Sequence, residues 1–146
     1  MIILNTVLAI FIVLELFNLL ALYLNPSMKQ MNAVGVFNVW EKSKKDSETH
    51  SLISYLVYWV AGTKLIIVSL LTVVLVLGDP TIKIIAVLVL ALTITSFYWK
   101  MYPIVKSLDR NNHLAPHGYH KTLSIIIAVI TTALSLSALY AYISLG

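Results

Sequence analysis

Cysteine is absent from this chain and charge is scarce, with Asp, Glu, Lys and Arg making up only 11% of its 146 residues. The missing thiol excludes disulfides, thiolate metal sites and cysteine nucleophiles, and by itself points to no compartment. Soluble domains are about half apolar and about a quarter charged. This chain is 60% hydrophobic, with a mean hydropathy of +0.92, which places it in the membrane class. Several catalytic signatures are also missing: there is no Gly-x-Ser-x-Gly elbow, no P-loop, no Gly-x-Gly-x-x-Gly and no His-Glu-x-x-His. No internal repeat or low-complexity tract is visible, which argues against an inverted-repeat transporter within one chain.

What the chain does have is apolar length. The pattern predicts an all-α, polytopic membrane protein: a single bundle, 1–146, of four transmembrane helices over about 1–24, 52–77, 82–102 and 121–145. Each run approaches or exceeds the roughly 20 residues that carry a helix across about 30 Å of hydrocarbon. The third is the shortest, because Lys83 and Lys100 leave about 24 Å of uncharged helix between them, and both can stretch toward headgroups. The first run has no basic residue ahead of it and no Ala-x-Ala-like site after it, so it reads as a retained helix.

The formal charge is +4, but its distribution argues against nucleic acid as a partner. The connection after the first run carries Lys29, Lys42, Lys44 and Lys45, and the one after the third carries Lys100, Lys106, Arg110 and Lys121. The short 78–83 turn carries Lys83 alone. The positive-inside rule then predicts cytoplasmic loops at 25–51 and 103–120 and both termini on the extracytoplasmic side.

Local signals complete the expected organisation. Asn25-Pro26-Ser27 ends the first helix. Over 28–42, Val36, Trp40, Ala33 and Phe37 share one face while Gln30, Asn38, Glu41 and Lys42 lie opposite, which predicts a short amphipathic helix at the cytoplasmic interface or capping the bundle. The stretch 41–50 reads as a solvated connector. Tyr55, Tyr58 and Trp59 open the second helix, and Phe97, Tyr98, Trp99 and Tyr102 close the third, as aromatic belts. Gly78-Asp79-Pro80 predicts a tight turn, and Pro103 is expected to end the third helix. The last run carries small residues at helical spacing, Ser124, Ala128, Thr131, Ser135 and Ala138 with a second row at Ala133, Ser137 and Ala141, suited to close helix packing.

Two constellations can carry chemistry. Glu15 and Lys64 each sit near the middle of an apolar run, at about 15 Å and 18 Å from the cytoplasmic end. Charges at that depth cost about 3 kcal/mol each on insertion scales, so they need a partner or a use. Asn18, one turn from Glu15, extends the polar face. The three are the candidate ion- or substrate-binding residues; the competing reading is a neutralised pair that fixes helix register. The second constellation is Asp109, His113, His117 and His120, whose donors suit zinc or nickel. Pro116 and Gly118 interrupt the helix that would align them, so these four are weak metal candidates and no cofactor is assigned.

Three functions compete. The first is a small transporter or channel-like protein that moves an ion, proton or small polar solute through the Glu15/Lys64 pair. The second is a non-catalytic accessory or assembly subunit of a membrane complex. The third, ranked below both, is an interfacial lipid-modifying enzyme using the histidine loop. The expected partners are the lipid bilayer and either further copies of the chain or a larger membrane complex, since a chain this small encloses little cavity alone.

Overall fold

The computed structural model describes residues 1–29 and 34–145, and among these all regular secondary structure is helical. The order is α1 (Ile2–Leu24), a 3-10 turn (Val34–Val36), α2 (Asn38–Ser43), α3 (Ser47–Leu77), α4 (Pro80–Thr95), α5 (Phe97–Arg110) and α6 (Tyr119–Ile143). Four helical runs are long and apolar enough to cross a membrane: α1, α3, the α4–α5 run and α6. Only 17–33% of each apolar window is buried inside the bundle. The rest presents Leu, Ile, Val and aromatic side chains outward, an arrangement compatible with an integral membrane protein and foreign to a soluble one.

Local chemistry sets the helix limits. Asp46 caps α3 by accepting from Thr49 N at 3.3 Å, so this helix begins five residues earlier than the apolar run that marks it in the sequence. Asp79 caps α4 by accepting from Ile82 N at 3.0 Å, with Pro80 in the first helical position, where its missing N–H is no loss. The third run is interrupted at Ser96, whose N–H bonds the Thr93 carbonyl in a tighter turn, and just before it Thr93 and Thr95 turn their hydroxyls back onto the carbonyls of Val89 and Leu92. Beyond Ser96, Pro103 does not end the helix as its type suggests. It sits exposed inside α5, removes one backbone bond, and the helix resumes to Arg110.

The amphipathic helix expected over 28–42 is much shorter: the 3-10 turn and the six-residue α2 account for its second half, and 30–33 lie outside the described residues. Trp40 and Val36 are buried, so the apolar face of this segment turns into the protein. Gly35 allows that approach. A Cβ there would lie 2.1 Å from the Ser27 carbonyl oxygen, so only glycine lets the returning chain lie against the 25–28 turn.

Helices α1 and α3 form one closely packed pair and α4 and α6 another, joined through α1 and α6, while the sequence neighbours α3 and α4 touch little. Near the 78–80 turn a single core joins α1, α3, α4 and α6 through Leu8, Phe11, Val68, Val87 and Leu134. Toward the loop end it divides. One branch gathers Leu19, Leu22, Trp40, Val57 and Ala61; the other gathers Phe97, Val105, Leu114 and Leu123. Glu15 and Lys64 occur at the level where the core divides.

Candidate functional site

The buried stripe of α1 runs through Leu4, Leu8, Phe11, Asn18 and Leu22, and that of α3 through Val57, Ala61, Val68 and Leu71. Each stripe advances by alternating steps of four and three residues, the spacing of an antiparallel coiled-coil seam. The open place in the first is filled by Glu15 and in the second by Lys64. The structure brings these two together: Lys64 Nζ donates to Glu15 Oε2. The contact is incompletely covered, with side-chain exposures of 24% for Lys64 and 26% for Glu15. Asn18 is buried one turn farther along the same seam. Close approach of α1 and α3 continues at Gly62, where a Cβ would meet the Tyr23 hydroxyl at 3.6 Å, and Tyr23 stacks on Tyr58 with centroids 6.0 Å apart.

The second constellation divides: Asp109 keeps His117 and His120 beside it, and His113 does not join them. Asp109 is fully buried and accepts from Gly118 N and His120 N, both at 3.0 Å, and from His120 Nδ1 at 2.5 Å. His117 Nδ1 lies 3.2 Å from the other carboxylate oxygen, on a ring that is largely exposed. This carboxylate, projecting from the last turn of α5, caps the N-terminus of α6, whose own cap position is a left-handed glycine without a side chain. His113 lies apart and lines a cavity against Phe37. Among the described residues, no group of three or more His, Asp or Glu is arranged to hold a metal ion. The imidazoles of His117 and His120 turn Nδ1 to the same carboxylate, so their contacts are those of a helix cap.

A polar lock in the 25–50 region was hidden in the sequence. Buried Ser43 donates to the Trp40 carbonyl at 2.8 Å and bonds His50 Nδ1 at 2.9 Å. Trp40 Nε1 donates to Ser27 Oγ at 2.9 Å, and its ring packs on His50 with centroids 4.9 Å apart. Within this region, 41–50 reads as a solvated connector because its composition is polar; the one local hint was Trp40, on the apolar face expected just before it. Next to it, the Thr49 hydroxyl and then the Thr49 N–H hold the exposed Asp46 carboxyl below the usual aspartate value.

Two cavities accompany these sites. An apolar one of about 60 Å³ lies between α1 and α6, lined by Phe11, Leu14 and Leu134 among others. The second, about 290 Å³, is lined by Phe37, Asn38, Val39, Lys42, Leu108 and His113. No protein-family model, curated protein or solved structure matches this chain, so its function is argued from this geometry.

Proposed function

We propose that this chain is a non-catalytic subunit of a membrane assembly, with both termini extracytoplasmic, and that the α1–α3 face carrying Glu15 and Lys64 docks against a second chain. One observation carries the reading. The pair is about a quarter exposed in the middle of an otherwise apolar surface flanked by Leu14, Leu16, Phe17 and Leu65. A seam ion pair sets the register of two helices, as single polar residues do in coiled coils. Its exposed edge remains costly against lipid, and a packed neighbour offering small or polar groups removes that cost.

Transport is the second reading. It is favoured by the same reachable carboxylate and amine, with Asn18 one turn away on the seam. Native mass spectrometry of the chain released from nanodiscs separates the two. Under the assembly reading the wild type emerges as a multimer or with a retained subunit, and the Glu15→Leu/Lys64→Leu double variant emerges as a folded monomer. A monomeric wild type, whose proton or cation flux in proteoliposomes is abolished by Glu15→Gln with an unchanged melting curve, overturns assembly in favour of transport.

A further inference from the structure

Segment 36–38, at the entry to α2, and segment 113–115, between α5 and α6, are far apart in sequence and meet as a short antiparallel contact. Asn38 N donates to the His113 carbonyl and Ala115 N to the Val36 carbonyl, each at 2.9 Å, and Phe37 pairs with Leu114. The Asn38 side-chain amide donates to the Asn112 carbonyl at 3.0 Å. This contact ties the two branches of the divided core together at the loop end. Beside it lies the cavity of about 290 Å³, close to the lower limit of small-ligand sites, about 300 Å³.

The cavity has two chemical zones. Phe37, Val39 and Leu108 supply apolar walls, and the side-chain NH2 and backbone N–H of Asn38 already donate to backbone carbonyls. Lys42 and the His113 ring remain at its exposed edge. The acidic groups nearby are taken: Glu41 pairs with Lys44 at 2.8 Å, and Asp109 is buried against Gly118 and His120. Among the described residues Lys42 has no acidic partner, and Lys106 and Arg110 of α5 add positive charge at the same end. Leu108 lies about 13 Å past Trp99 along α5, beyond the aromatic group that marks a headgroup boundary. Clusters of Lys and Arg just beyond the membrane boundary suit anionic headgroups.

We propose that this cavity binds one anionic amphiphile, with its acyl chain against Phe37, Val39 and Leu108 and its phosphate or carboxylate at Lys42 and His113. The cavity is held open by backbone bonds, so binding orders little of the protein. The headgroup supplies the opposite charge for which Lys42 has no acidic side chain among the described residues. The site stands apart from the Glu15–Lys64 face and does not depend on how that face is used.

The test titrates the delipidated full chain in neutral detergent with phosphatidylglycerol, phosphatidylcholine and free palmitate, read by native mass spectrometry. One equivalent of phosphatidylglycerol or palmitate is expected to remain bound, and phosphatidylcholine is expected to dissociate. Retention of phosphatidylglycerol alone identifies a membrane phospholipid as the occupant, and retention of palmitate alone a free fatty acid. Lys42→Gln should weaken binding about five-fold, the effect of one lysine on an anionic headgroup. Val39→Trp, at an exposed wall position, should fill the cavity and abolish binding with an unchanged circular-dichroism melt, whereas Lys45→Gln, outside the cavity, should bind as wild type. Equal retention of phosphatidylcholine and phosphatidylglycerol, or wild-type binding by both Lys42→Gln and Val39→Trp, overturns the proposal.

Discussion

Breaking the seam pair is the sharpest perturbation this fold offers. Glu15→Leu leaves Lys64 in an otherwise largely apolar seam with its charge uncompensated, and Lys64→Leu does the same to Glu15. Removing one member of a buried pair destabilises by about 3–5 kcal/mol. The pair here is about a quarter exposed, so the lower part of that range applies and about 3 kcal/mol is expected for either single change. The double change to leucine leaves two apolar residues at seam positions and should return to within about 1 kcal/mol of wild type, since well-packed apolar replacements of ion pairs are often neutral or stabilising. The coupling free energy of the cycle is then several kcal/mol, above the range of about 0.5–3 kcal/mol usual for contacting residues. Unfolding by SDS titration in mixed micelles, followed by far-UV circular dichroism, measures all four proteins of the cycle. Single variants as stable as wild type, with coupling below about 0.5 kcal/mol, refute the claim that the two charges sustain each other in the seam.

Two further outcomes concern the loop end. Asp109→Ala removes a buried carboxylate that accepts from Gly118 N, His120 N and His120 Nδ1, and should lower stability by about 2–3 kcal/mol, read as a fall in unfolding midpoint in the same SDS titration. Asp46 has its pKa lowered by Thr49, so the cap of α3 is fully present above the unfolded-state value and is lost as pH falls through the lower folded value; carboxyl-region NMR should show Asp46 titrating below an ordinary aspartate, and Thr49→Val should move it back up.

Much of the architecture was legible because it is a matter of composition over about 20 residues. The transfer cost of exposing apolar side chains depends little on what lies elsewhere in the chain. The limits of the helices were less legible. The apolar run marks where α3 is greasy, whereas Asp46 and Thr49 decide where it begins. Pro103 read as a stop because proline breaks an isolated helix, but α5 continues with Phe97 and Val105 anchored against α6 and the 114 loop. Of the apolar face read over 28–42, Val36 and Trp40 are buried, and no wheel pattern could say that Gly35 brings the chain back against the 25–28 turn.

The contact of Glu15 with Lys64 was legible in the sequence, and its surroundings were not. Glu15 and Lys64 stand out because two charges at matched depths in apolar runs have few other ways to be satisfied. In the histidine loop, donor type gives no sign of what the donors face: Asp109 accepts from the backbone at the start of α6 and from His120, and His113 belongs to the lined cavity. The contact of Phe37 with Leu114 and the Ser43–His50 lock leave no periodic trace in the sequence at all.

From the amino-acid sequence alone follow four apolar helices and two charges that must answer each other, because burial energetics act on short stretches of chain. Tertiary structure alone decided that α1 meets α3 along a four-three seam, that the core divides at the level of the pair, and that 36–38 and 113–115 pair beside an open cavity edged by Lys42 and His113. Those outcomes depend on contacts between residues distant in the chain, and their selection rests on the fit of whole helix faces.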